Sequence, residues 1–152
     1  MAPLVVMAVV LAAARSLGAA GVWETADSWV TSLRFALVAM FVFTAIAHFH
    51  PRTRPDLIRM VPPSLPAKEL LVSATGVFEV LGAIGLLVPT LSTAAAYSLM
   101  ALLGAMFPAN VHAARAGLEV AGRAASPLIW RLPLQLFWMG ALWWVARAGA
   151  SV

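Results

Sequence analysis

Cysteine is absent from the 152 residues, which excludes disulfides, thiolate metal centres and dithiol exchange by this chain acting alone. Charge is scarce as well: Asp, Glu, Lys and Arg make up 11% of the chain, against about a quarter in a soluble domain. No polar stretch is long enough to build a separate soluble catalytic domain. A glycine-rich fingerprint for a flavin or nicotinamide nucleotide is also missing, so electrons for any redox step have to come from a partner protein.

What is present is apolar, 62% of the residues. Crossing a hydrocarbon core takes roughly 20 residues of helix, and five stretches qualify: 2–21, 29–49, 67–88, 91–112 and 127–146. The expected fold is therefore an all-α integral membrane protein in a single membrane domain, with a four-helix bundle core and an additional N-terminal apolar helix. Arg15 interrupts the first stretch. A signal peptide is set aside because no Lys or Arg precedes the apolar run; an interfacial helix remains the alternative to a span.

Residues 50–66 form a proline-rich interfacial loop carrying Arg52, Arg54 and Arg59, with Lys68 just beyond. One short helical turn from Pro55 to Val61 is predicted inside it, because proline is tolerated at a helix start and Pro62 then stops it. Only Pro89 and Thr90 separate the third and fourth stretches, which requires an antiparallel hairpin. Parity then puts the loop 113–126 on the same side as the proline-rich one. Seven of the ten Lys and Arg residues fall at that side, and the positive-inside rule makes it cytoplasmic. The expected location is a bacterial-type cytoplasmic membrane, N-terminus inside and C-terminus outside. The formal charge of +4 thus reports topology, and no nucleic-acid partner is expected. Trp23, Trp29, Trp143 and Trp144 gather at the inferred outer interface and Trp130 at the inner one, as anchoring indoles do.

Glu79 stands out. Counting 1.5 Å per residue puts it about 14 to 16 Å from either face, where a carboxylate costs a few kcal/mol or more unless it is paired, hydrated or protonated. Its helical neighbours Thr75, Gly76, Gly82 and Ala83 form a small-residue face suited to close packing, so Glu79 should point into the bundle. Arg34, from the outer side, and Arg131, from the inner side, are the cations that could meet it, or they snorkel to headgroups. His48, His50 and His112 share one depth. His48 and His50 face different ways on a helix and no carboxylate completes a ligand spacing, so no metal site is expected; His48 is read as a proton relay and His112 as a ligand-binding candidate. Pro108 frees the carbonyl of Gly104, and Asn110 beside it either satisfies freed backbone or holds a ligand's polar group. Pro133 opens the last stretch beside Gln135 in the same way.

These residues occur in an ordered series: Thr44-Ala-Ile-Ala-His48-Phe49, Pro62-Pro-Ser-Leu-Pro66, Thr75-Gly-Val-Phe-Glu79-Val-Leu-Gly82-Ala, Phe107-Pro-Ala-Asn110 and Arg131-Leu-Pro-Leu-Gln135. The series resembles the DoxX-like membrane proteins from about residue 29 to 147, with Ala45 where many members have glycine. The resemblance implies a four-helix core and, for some members, companionship with redox systems such as quinone-linked sulfur oxidation and thiol homeostasis; more distant relatives look like assembly chaperones. It marks His48, Glu79, Asn110, Arg131 and Gln135 as the positions to watch.

The leading expectation is a bundle that holds a small apolar molecule, a quinone or another isoprenoid, in a polar pocket around Glu79. Glu79 and His48 would carry protons, Arg34 or Arg131 would tune Glu79, and Asn110, Gln135 and His112 would orient the ligand. Two rivals stay open: a non-enzymatic scaffold or assembly chaperone, and an intramembrane isomerase or cyclase using Glu79 as general acid. Small-residue faces also permit a homo-oligomer.

Overall fold

The computed structural model describes residues 2–120 and 122–149. Five long helices account for most of the chain: α1 (Ala2–Ala19), α2 (Trp29–Phe49), α4 (Lys68–Leu87), α5 (Ser92–Arg115) and α6 (Leu128–Gly149), with a short α3 (Arg54–Met60) between α2 and α4. A 3-10 turn at Glu24–Asp27 links α1 to α2, and β1 (Glu119–Val120) and β2 (Arg123–Ala124) form a minimal antiparallel hairpin ahead of α6.

Local chemistry sets the ends. The Ser28 hydroxyl accepts the Thr31 backbone N–H at 3.1 Å and caps α2, satisfying one of the donors a helix start leaves open. α2 stops at Phe49, because His50 precedes Pro51 and is held extended. α3 has Pro55 in its first turn and ends before Pro62, one residue off the predicted turn at each end. α5 continues as helix through Pro108 and α6 through Pro133.

α2, α4, α5 and α6 close a ring in chain order, and α1 packs on the outside of α2. Phe41, Leu37, Met40, Leu86, Leu99 and Leu142 are the largest apolar side chains sealed inside. Gly76, Gly82 and Gly85 of α4 let the helices approach closely. A Cβ on Gly82 would sit 2.4 Å from Leu99 Cδ2, and one on Gly76 would sit 2.7 Å from His48 Cβ and 2.8 Å from the Phe49 ring. Gly82 thus sets the α4–α5 spacing, and Gly76 sets the register of α4 against the end of α2.

α3 touches α2, α4, α5 and β1, so the proline-rich segment and the 113–126 connection do lie at one end of the bundle. Arg15 has a structural task at the other end. It donates to the carbonyls of Asp27 and Ala26, pairs with the Asp27 carboxylate at 3.6 Å and lies 4.7 Å from the centre of the Trp29 ring. Trp23, expected as an anchor, stacks obliquely on Phe35 with ring centres 4.5 Å apart.

Among the described residues, α1, α2, α4 and α5 are long and apolar enough to cross a membrane. α6 has the length but falls outside that set, because Arg131, Pro133, Gln135 and its tryptophans dilute its apolar residues, so four of the five expected spans meet this measure. Large apolar side chains nonetheless stand exposed around the bundle, including Ile46 on α2, Ile84 on α4 and Leu136 on α6.

Candidate functional site

The site lies at the capped end. Glu79 on α4 and His48 on α2 are both buried, 3% and 5% exposed, and His48 Nδ1 lies 3.5 Å from Glu79 Oε2. Thr44, one turn before His48 on the same face, supplies the rest of the surroundings. Its backbone carbonyl lies 3.1 Å from His48 Nδ1, and its hydroxyl faces the Glu79 carboxyl while also donating to the Phe41 carbonyl at 3.0 Å. A carbonyl oxygen can only accept, so Nδ1 carries a proton. In the neutral ring Nε2 is then the basic nitrogen, and it has no partner among the described residues.

His48 lines a cavity of about 180 Å³ enclosed by the ends of α2, α3, α4 and α5. Leu57, Met60 and Pro62 of the proline-rich segment close it from the end, and Thr75 and Asn110 are its other polar lining residues. Asn110 is oriented from behind: Arg131 Nη1 donates to its Oδ1 at 2.6 Å, and Arg131 Nε donates to the Ser126 carbonyl at 2.8 Å. With Oδ1 engaged, the amide NH₂ is the end left for an occupant. The wall thus includes an imidazole whose Nε2 is uncommitted and an amide whose oxygen is already engaged. No Asp, Glu, Lys or Arg lines the cavity among the described residues.

This arrangement changes several expected roles. Glu79 is not in the cavity wall; His48 stands between them, so the carboxyl acts on the imidazole and not on an occupant. Arg34 lies ten residues from Thr44, about 15 Å along α2, toward the opposite end of the helix, with its Nε buried and without a hydrogen-bond partner among the described residues. It does not tune Glu79, and neither does Arg131, whose contacts are Asn110 and Ser126. Gln135 is buried and donates to the Leu103 carbonyl at 2.6 Å. That bond ties α6 to α5 one turn before Pro108 and leaves Gln135 off the cavity wall. His112 is half-buried and also off it. Among the described residues no three His, Cys, Asp or Glu side chains come together as a metal site.

Two contributors escape a reading of the sequence. Thr44 is signalled by its spacing of four from His48. Arg54 is not signalled at all: its guanidinium donates to the His48 carbonyl at 3.0 Å, to the Ser73 hydroxyl at 3.0 Å and to the Glu69 carbonyl at 3.3 Å. It thereby fastens α3 over the ends of α2 and α4.

No curated protein and no solved structure matches the chain. A family model does match, over residues 37–146, an interval that contains His48, Arg54, Glu79, Asn110 and Arg131. With most of its length covered, the chain belongs to the family described as Domain of unknown function (DUF8561).

Proposed function

We propose that the protein is an integral membrane protein that binds a small apolar molecule of the quinone or quinol type in the cavity beside His48, within a redox-linked membrane system. α1 adds a span to the bundle. α6 is the fourth span of the core, because Arg131 and Gln135, the polar side chains of its first half, are spent on α5 and not presented to lipid, and Arg147 lies in its last turn. The basic, proline-capped end is cytoplasmic by the positive-inside rule.

The observation that carries the reading is the pairing of one acceptor and one donor across a small apolar cavity. A space of this size takes about one six-membered ring, since a cavity of roughly 150 Å³ holds benzene. In a quinol one hydroxyl donates to His48 Nε2 and the oxygen of the other accepts from Asn110; in a quinone that second oxygen is a carbonyl and keeps the same bond. His48 Nε2 is placed to take one of the two protons of a quinol, with Nδ1–H held on the Thr44 carbonyl and the Glu79 carboxyl 3.5 Å from Nδ1. Full oxidation to the quinone also releases the second proton, to water, and two electrons, to a redox carrier on a partner protein. The resemblance to DoxX-like proteins supports the redox setting.

The test is mass spectrometry of organic extracts from protein purified in mild detergent, comparing wild type with His48→Ala and Glu79→Gln. The expected result is a stoichiometric ring-bearing apolar molecule in wild type, lost in His48→Ala. Bulk phospholipid alone in all three extracts would sink the reading and favour a scaffold, for which the satisfied Gln135–Leu103 and Arg131–Asn110 ties are the supporting observation.

A further inference from the structure

The cavity beside His48 does not stand alone. A larger open groove of about 610 Å³ runs along the outside of the α4–α5 seam, and Ala105 belongs to the walls of both. The helix faces are continuous through this junction. On α5 the groove is lined by Ala94, Ser98, Ala101 and Ala105, and the cavity takes over at Ala105 and Ala109; these steps of three and four residues keep one face. On α4 the face runs Gly85, Gly82 and Phe78 in the groove, then Thr75 and Leu71 in the cavity.

We propose that the groove seats the single apolar chain of the molecule whose ring occupies the cavity, so that the ligand class is a long-chain amphiphile with a compact uncharged head, entering sideways from the bilayer along α4 and α5. This rests on the reading of the cavity given above. Three observations select this occupant. The cavity is too small for more than a ring, so any tail has to leave it, and the groove begins at its wall. Among the described residues the head's lining holds His48, Thr75 and Asn110 but no Lys or Arg, and Arg131 is spent on Asn110 Oδ1, which is wrong for a phosphate or another anionic headgroup. From Ala94 to Ala105 the groove offers about 16 Å of chain-length contact at 1.5 Å per residue, and apart from Leu102 its α5 wall is alanine and serine, residues too small to fill it.

The test uses the full chain in nanodiscs, titrated calorimetrically with a substituted benzoquinone lacking a chain and with its decyl derivative, after subtraction of heats from empty nanodiscs. Wild type should bind the decyl form at least about tenfold more tightly. Ala101→Phe, at an exposed position in the groove, should erase that advantage and leave binding of the chain-free form unchanged. Ser98→Leu should do the same, so the outcome does not hang on one variant's folding, and Val77→Phe, exposed on α4 outside the groove, should keep the advantage. If both groove variants retain the decyl preference while still binding the chain-free quinone, the tail seat is overturned and the ring site stands. If wild type binds neither compound, the ring site and the tail seat fall together.

Discussion

Arg131 Nη1 donates to Asn110 Oδ1 at 2.6 Å, and that bond decides which end of the Asn110 amide is available to the cavity. Two substitutions separate the orienting bond from the group it orients. Arg131→Met frees the amide to rotate and should weaken binding of the chain-free benzoquinone about tenfold, at a stability cost of about 1 to 2 kcal/mol. Asn110→Asp keeps an acceptor for Arg131 but removes the donor, so binding should fall by a similar factor with the unfolding temperature held or raised. Calorimetric binding alongside thermal unfolding in detergent reads both. Equal loss of stability in the two variants, with binding intact, would assign the pair to helix packing.

Gly76→Ala should damage the site without touching a polar group. The new Cβ meets His48 Cβ at 2.7 Å and the Phe49 ring at 2.8 Å, so α2 and α4 must part, at about 1 to 3 kcal/mol for overpacking. Since His48 moves with α2, quinone binding should drop further than stability does. Binding that tracks the folded fraction alone would show that the register of these two helices is not what holds His48 in place.

Gly82→Ala is the matching perturbation on the other seam, with its Cβ 2.4 Å from Leu99 Cδ2. The predicted cost is again about 1 to 3 kcal/mol. Combining it with Leu99→Ala, which removes the clashing atoms, should recover part of that cost relative to the sum of the single variants. A double-variant unfolding cycle with no coupling would contradict the close contact.

Arg54→Ala cuts the three donations that fasten α3. Limited proteolysis should then cleave between residues 51 and 66 severalfold faster, while the helices of the ring stay protected. Cleavage at the wild-type rate would mean that the apolar contacts of Leu57 and Met60 hold the cap by themselves.

Much of the architecture is legible in the chain. The proline pattern bounds α3 to within a residue, the short link at Pro89 and Thr90 forces the hairpin, and depth counting singles out Glu79 as buried. The partner of Glu79 is not legible. Which residue of α2 comes level with it depends on how Gly76 packs against His48 and Phe49, a contact between segments far apart in the chain that no local pattern encodes. Arg131 illustrates the same limit: headgroup contact and an interior bond are equally compatible with its position, and the choice is made by Asn110 on another helix. For Gln135, polarity in an apolar stretch suggests ligand contact, whereas the nearby backbone of α5 takes its donor.

The two ends of the ring are built unequally. At one, α4 passes into α5 through Val88 to Leu91; at the other, the chain spends His50 to Ala67 between α2 and α4 and a further stretch between α5 and α6. A tube pinned at one mouth can spend longer connections on stoppering the other, and α3, fastened by Arg54, is the stopper over the cavity. With that mouth stoppered, the α4–α5 seam is the side of the cavity that is left open.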